Sequence, residues 1–478
     1  KPLYYAQTGS SFLFASELRS LLASDLIERK LDRAALDDYL RYQTVHAPNT
    51  IVAGVRMLMP GTYWQVSEVD AQPVEYWKPW QKLHFDRDPI KVHKEIRDRF
   101  TASVERRLVA DVPSGAFLSG GIDSSMIVGV VRERLDQELD TFNVSFDESQ
   151  YSEAIYAQQV AKRFGARHHE IRLTPDDFLP ALPDALKAMD HPSGDGPNTW
   201  IVSRETKRQG ITMALSGLGG DEVFAGYDVF TRIPYIADRN WILSFPRGLR
   251  TLIGTLLTKW RPGMSSLKTR ELLEADYFDL LHLYPTFRKT LLDETVKSLK
   301  GKQIAKNRVA EVIAGLGQFH EFEQLPTLSR ISVAELSTYL QNTLLRDTDQ
   351  MSMAHALEVR VPFLDHELVE YVMQVSDRIK YPHRPKQLLT DSFADLLPHE
   401  IIDRPKMGFV LPWEDWMRGP LKSFAEEGIH RMVSANLLEA DGVHQLWQAF
   451  LKGDPAVSWS RVWPLITLAA WMEENNIE

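Results

Sequence analysis

Apolar positions along this chain change period several times, and each change marks an element. The runs Leu3-Tyr4-Tyr5-Ala6 and Phe12-Leu13-Phe14-Ala15 flank Gln7-Thr8-Gly9-Ser10-Ser11, the pattern of two strands joined by a hairpin turn. A helix starts at Ser16, and a second one is predicted over residues 33–42. Between about residues 25 and 86 turn signals are dense (Pro48-Asn49-Thr50, Met59-Pro60-Gly61). With the aromatic patch of Tyr63, Trp64, Tyr76, Trp77 and Trp80, they read as a connecting segment packed on its neighbours. Helix returns near 90–108. Strands are then expected at Ala116-Phe117-Leu118 and over 141–146, 169–173 and 212–215, with helices at 126–135, 152–164, 175–189 and 199–209. Such alternation predicts an α/β fold with a doubly wound parallel sheet, whose ligands bind beyond the carboxyl ends of the strands. Past Phe230 the strand signal fades, and apolar residues three and four apart predict a helical extension.

Composition narrows the classes. A chain of 478 residues that is 44% hydrophobic can bury a large core and should divide into more than one domain. Its formal charge of -10, without long single-sign blocks, speaks against nucleic acid and against an anionic membrane surface as partner. With no cysteine, thiolate zinc sites, Fe–S clusters and cysteine nucleophiles are excluded. Neither a membrane-length apolar run nor a signal segment is present, so a cytoplasmic protein is expected. The first residue is Lys1, and the opening strands look like the middle of a sheet; the expectation is a chain that begins inside a domain.

The most informative string is Ser119-Gly120-Gly121-Ile122-Asp123-Ser124-Ser125, between an apolar strand and an amphipathic helix. Two glycines let successive N–H groups turn inward at a helix N-terminus, where the dipole favours an anion, so the string reads as a phosphate cradle. It is not a P-loop: no G-x-x-x-x-G-K-[ST] string occurs in the chain. Asp123 is placed to reach a phosphate-bound Mg²⁺, a cation that takes oxygen ligands. A second glycine loop follows the strand at 212–215, as Ser216-Gly217-Leu218-Gly219-Gly220-Asp221-Glu222. In a doubly wound sheet both loops leave the same edge, so Asp123 and Asp221 could share one Mg²⁺. Helix capping is the simpler role for either aspartate taken alone.

A third string runs Leu345-Arg346-Asp347-Thr348-Asp349-Gln350 and continues into Leu357-Glu358-Val359-Arg360-Val361-Pro362-Phe363-Leu364-Asp365. In this order the three strings resemble the synthetase half of the class B, glutamine-dependent asparagine synthetases and their amidotransferase relatives, β-lactam synthetases and lasso-peptide cyclases among them. The resemblance runs from about residue 108 to the end. Phe14-Ala15-Ser16-Glu17 looks like the last part of that family's glutaminase domain. What the resemblance implies is a remnant of an N-terminal-nucleophile glutaminase (1–24), a connector (25–86) and an ATP-dependent synthetase domain (87–478).

Carried over by position, the resemblance implies that Leu118, Val144, Ser216 and Gly217 flank the nucleoside of ATP. Ser119, Gly120, Gly121, Asp123, Ser124 and Ser125 would hold the pyrophosphate, and Asp123 with Asp221 the magnesium. The implied chemistry adenylates a carboxylate, releases pyrophosphate, and lets ammonia displace AMP, with fixed cations stabilising the developing charge. Lys406, in Arg404-Pro405-Lys406-Met407-Gly408-Phe409, is the first choice for that cation and Lys386 the second. Arg346 and Glu358 count among the catalytic residues, and Asp349, Glu222 and Leu218 among those facing the acceptor. Partners are a small carboxylate acceptor and glutamine or ammonia, and a homodimer is compatible with the sequence.

Two departures matter. Where true asparagine synthetases carry a glutamate between the first glycines of the second loop, this chain has Leu218, which cannot pair the ammonium of aspartate. The acceptor is then another carboxylate, such as a sugar acid or a peptide side chain, unless Glu222 or Glu358 substitutes; Leu218 could equally pack against the sheet. The family's catalytic cysteine is also absent, so the chain as given could use only free ammonia. Two rivals remain, a tRNA-thiolating enzyme, disfavoured by the absence of cysteine and of a basic surface, and a non-catalytic nucleotide-binding module. His168, His169 and His355 are read as structural, and Trp413, Trp416, Trp447, Trp459, Trp463 and Trp471 as helical core.

Overall fold

The structure is a computed structural model and describes all residues except 10, 67–71, 82–84, 86, 147–152, 302, 382 and 405–410. Strands β1 (Tyr4–Thr8) and β2 (Ser11–Ala15) form the expected hairpin, with Tyr4 opposite Ala15 and Thr8 opposite Ser11. β3 (Arg56–Met57) pairs with the other edge of β1, so residues from the predicted connector complete that small sheet. β4 (Thr62–Tyr63) and β5 (Val74–Glu75) make a separate two-stranded ribbon. The helix over residues 33–42 forms with the predicted bounds, Arg33–Tyr42, because Asp32 caps it by accepting from the N–H groups of Ala34 and Ala35.

The main sheet is parallel throughout. Its strands are β6 (Ser114–Phe117), β7 (Asp140–Phe146), β8 (Arg167–Leu173), β9 (Met213–Leu215) and β10 (Glu358–Arg360), in the order β10-β9-β6-β7-β8. The chain moves outward from β6 to β8 and then returns to the other flank of β6. That reversal puts a topological switch point between β6 and β9, the place where open α/β sheets bind ligands. Helices Pro89–Leu108, Ile122–Gly129, Ala154–Phe164 and Gly196–Arg208 accompany the sheet. The core between them holds Phe100, Met126, Val128, Met213 and Phe363, all at 0% exposure.

Two expectations need correction. The predicted helix at 175–189 is broken into Pro175–Phe178, a tighter turn over Leu179–Ala181 and Leu182–Lys187, because Pro180 and Pro183 have no N–H to continue one ladder. The helical region after Phe230 also contains a strand, β10. Its Glu358-Val359-Arg360 alternation is that of a short edge strand, with Val359 opposite Ala214. Of the six tryptophans expected in the core, Trp413, Trp416, Trp447, Trp463 and Trp471 are buried and Trp459 is half-buried; Trp413 and Trp463 are 0% exposed, with ring centroids 4.3 Å apart. Among the described residues no helix is long and apolar enough to cross a membrane.

Candidate active site

The first loop is held in place before it turns. Past β6, the Leu118 N–H donates to the Phe142 carbonyl (2.8 Å), and the Leu118 carbonyl accepts from Asn143 Nδ2 (3.0 Å). Gly120 then takes φ +72°, and a Cβ there would lie 2.6 Å from the backbone of Tyr156, so only glycine fits. Gly121 opens the helix Ile122–Gly129. Ser124 Oγ accepts from the Ser119 N–H (3.2 Å) and meets Ser119 Oγ (3.2 Å), which in turn accepts from the Gly121 N–H (3.3 Å). The result is a tight turn at a helix N-terminus with Asp123 in its first turn.

The second loop lies directly on the first. After β9 the Ser216 N–H donates to the Arg360 carbonyl (2.8 Å), and Gly219 (φ +93°) turns the chain into a single helical turn, Gly220–Val223. A Cβ on Gly220 would fall 2.4 Å from Asp123 Cγ, and one on Gly217 2.9 Å from Asp123 Cβ. The glycines therefore let two loops from adjacent strands close on one carboxylate.

Lys386 completes the arrangement. Its Nζ lies 2.5 Å from Asp123 Oδ2 and 2.7 Å from Asp221 Oδ1, with the lysine itself 7% exposed. Burial opposes its charge, but the two carboxylates outweigh that and hold it protonated well above the usual lysine range. Its backbone is left-handed, φ 57°, at the start of the helix Gln387–Ser392, a strained conformation for a long side chain. Gly226 makes room for it, since a Cβ there would lie 2.4 Å from Lys386 Cε.

Other predicted residues are placed as follows. Ser125 is fully buried under the first loop, Leu118 and Ser216 are buried just past the ends of their strands, and Val144 is buried within β7. Leu218 is half-buried at the crest of the second loop, its N–H 3.4 Å from Ser216 Oγ. Glu222 is buried and accepts from Tyr227 Oη (2.8 Å); burial and then Asp221 push it up to about 7. Three residues are not brought to this cluster. Arg346 is buried and donates to Thr44 Oγ1 and the Val45 carbonyl. Asp349 pairs with Lys1 (2.7 Å). Glu358 opens β10 opposite Met213, at the far end of the strands from Ser216, and pairs with Arg360 (2.8 Å). Lys406 lies outside the described residues; Arg404, just before it, pairs with Glu153 and covers the Tyr156 ring at 4.3 Å, beside Gly120.

Sequence reasoning missed the polar layer behind the second loop. The Arg288 guanidinium pairs with buried Glu335 and lies over the rings of Tyr227 (4.8 Å) and Tyr339 (4.1 Å). Beyond Tyr339 is a cavity of about 360 Å³ lined by Lys268, Arg288, Lys289, Arg461 and Asp195. Burial and then Arg461 push Lys268 down to about 8. The only sequence signal was the Gly226-Tyr227 pair directly after the loop; the cations come from the helical region, which has no recognisable string.

The donor set suits a hard cation. Two carboxylates from separate loops reach one ammonium nitrogen, so a cation already sits where both can ligate it. Among the described residues no three His, Asp or Glu side chains cluster, so a bound Mg²⁺ would need phosphate or water oxygens to fill its shell.

A five-stranded parallel sheet with a glycine turn at a helix N-terminus and a carboxylate pair at its switch point defines a class, an α/β domain of the doubly wound kind. Residues 95–473 match the family model described as Asparagine synthase, and the chain belongs to that family. Residues 1–77 match a Glutamine amidotransferase domain. The chain is 28% identical over 480 residues to Asparagine synthetase [glutamine-hydrolyzing] 1 of Bacillus subtilis (strain 168), covering 99% of this chain and 74% of that protein. It is 26% identical over 499 residues to Amidase chyE of Penicillium rubens, covering 95% and 73%. A Putative asparagine synthetase [glutamine-hydrolyzing] 2 of Methanocaldococcus jannaschii is 35% identical over 235 residues, 48% of this chain and 45% of that one.

Proposed function

We propose that this protein is an AMP-forming carbon–nitrogen ligase that activates a carboxylic acid with ATP and amidates it with ammonia, from glutamine where a glutaminase supplies it. The observation that carries this reading is the convergence of Asp123 and Asp221 on one cation position beside the glycine turn. Asp123 and Asp221 hold Mg²⁺, and Ser119, Gly120, Gly121, Ser124 and Ser125 hold the leaving pyrophosphate. Leu118, Val144, Ser216 and Gly217 flank the nucleoside. Bound Mg²⁺ supplies charge neutralisation on the phosphate oxygens. Lys386, displaced from between the carboxylates, turns its ammonium to the phosphoryl oxygens where charge builds, and Lys406 is the second cation on that side.

The acceptor is an acid other than free aspartate. Leu218 offers no partner for an α-ammonium, and buried Glu222, protonated up to about 7, offers little charge in its place. The cation-lined cavity behind Tyr339 favours an acceptor that carries a further acidic group. Pyrophosphate release should be measured with ATP, Mg²⁺ and ammonium across aspartate, uronic acids and carboxylate-bearing peptides. Release with an acidic sugar or peptide and not with aspartate is expected. Stimulation by aspartate alone would overturn the acceptor assignment, and no release with any acid would leave a nucleotide-binding module.

A further inference from the structure

The helix Arg247–Trp260 is packed inside out. Its buried positions are Arg250 and Gly254, while Leu249, Leu252, Ile253, Leu256 and Trp260 are exposed, the last two at 56% and 83%. Counted from Leu249 they fall at i, i+3, i+4, i+7 and i+11 and so share one face. What points inward is satisfied there. Arg250 donates to the carbonyls of Phe245 (3.2 Å), Leu273 (2.6 Å) and Ala275 (2.8 Å), and a Cβ on Gly254 would sit 2.7 Å from Arg270 Cγ, as in a close helix crossing. The apolar face is thus not a failed core face. Trp241 (62% exposed) and Phe245, in contact at 6.1 Å between centroids, precede the helix and are likewise exposed.

The charges on this segment are mostly basic, with Arg232 paired to Asp228 (3.0 Å) and Arg247 3.8 Å from Asp276. Residues 229–263 contain Arg232, Arg239, Arg247, Arg250, Lys259 and Arg261 against the single acid Asp238, in a chain whose total is -10. Arg247, Lys259 and Arg261 are exposed at the two ends of the helix. A helix with an outward leucine and isoleucine stripe, tryptophan near its borders and cations at its ends fits the interfacial zone of a bilayer, with cations at the headgroups and apolar side chains below them. A protein partner would need its own apolar face and an excess of acid; an anionic membrane presents both over any area.

We propose that the face formed by Trp241, Phe245, Leu252, Leu256 and Trp260 docks the protein onto an anionic lipid surface. This goes beyond the ligase reading and does not depend on it. The total charge expected to repel such a surface is overruled locally, because screening limits interactions to about 8–10 Å at physiological salt.

Co-sedimentation with vesicles of phosphatidylcholine, with and without phosphatidylglycerol, tests this. Binding to the anionic vesicles should exceed binding to the neutral ones by about tenfold at low salt and fall as salt rises. The pair Leu256→Ser and Trp260→Ser should lower it by about tenfold, and Lys259→Glu with Arg261→Glu should abolish the lipid preference. All four positions are exposed, so circular dichroism should report an unchanged fold. No preference for anionic vesicles, or no effect of these substitutions, would overturn the proposal. A lipid-free dimer that L256S/W260S dissociates, without vesicle binding, would assign the face to a second copy of the chain and overturn it as well.

Discussion

Two pairs of neighbouring aspartates in this molecule have opposite electrostatics. At the sheet rim, Asp123 and Asp221 meet across the Lys386 ammonium, which their charge holds protonated despite its burial. Behind the rim, Asp195 and Asp347 interact with no ammonium between them. Asp347 accepts from Ser193 Oγ and Gln350 Nε2 (3.0 Å), and Asp195 from Asn198 Nδ2. Burial, reinforced at Asp195 by Asp347, pushes their carboxyls up to about 7 and about 6. The first pair is built to meet a cation and the second to keep a proton. What separates them is the donor that each backbone delivers, a lysine head group shared by both carboxylates in one case, and neutral hydroxyls and amides with Arg346 beside Asp347 in the other.

The largest test removes one arm of the rim pair. Asp221→Asn keeps the shape of the loop and removes a cation ligand, and kcat for pyrophosphate release should fall by about a thousandfold. An effect under about threefold would reduce Asp221 to a helix cap. Asp195→Asn, the matching change in the other pair, should leave that rate within a few-fold.

Lys386→Met breaks the comparison from the other side, because it leaves two carboxylates facing each other as the pair behind the rim does. The metal-free protein should lose about 3 kcal/mol of stability, the usual cost of removing one partner of a buried ion cluster. Millimolar Mg²⁺ should restore part of it, since a divalent ion takes the vacated position. Thermal melts with and without Mg²⁺ read both effects. If Mg²⁺ raises the melting temperature of the variant no more than that of the parent protein, the rim pair is not a cation site.

A geometric test is smaller. In Gly220→Ala the new Cβ would start 2.4 Å from Asp123 Cγ, so the carboxylate must swing off the cation position. Pyrophosphate release should fall by about fiftyfold, mostly in kcat, with little change in fold. Gly248→Ala, where a Cβ meets nothing within 4 Å, is the control.

These pairs also show what the sequence made legible. The rim pair could be read because each aspartate sits within a few residues of glycines that follow a strand, and strand adjacency in a doubly wound sheet brings such loops together. Lys386 was legible as a candidate cation, but not its place between the aspartates, because its approach depends on Gly226 and on a left-handed backbone. Asp195 and Asp347 were invisible. They lie far apart in sequence, and they meet because Ser193 Oγ accepts from the Asp195 N–H (3.3 Å) while donating to Asp347. Glu358 shows the converse, since the resemblance carries its role over by position in a family string, while the structure sets it at the start of an edge strand, opposite Met213, away from the Asp123–Asp221 pair. Local pattern carries what one loop does; contacts between distant segments decide which charges face one another.

The smallest test concerns the pair behind the rim and is a matter of pH. A carboxyl raised from about 4 in the unfolded chain to about 6 or 7 when folded takes up a proton on folding. Stability is therefore greatest below the unfolded value, declines as pH rises from about 4 to about 7, and levels off once the folded pair has ionised. Asp195→Asn keeps an acceptor for Asn198 after an amide flip and removes the repulsion felt by Asp347. The fall in unfolding free energy from urea titrations between pH 4.5 and pH 7.5 should then shrink by on the order of 1–2 kcal/mol. The change is smaller than that from either rim substitution, because Asp347 stays buried and keeps its own elevated value. A slope unchanged by Asp195→Asn would mean that Asp195 takes up no proton on folding, and the contrast with Asp123 and Asp221 would then rest on Lys386 alone.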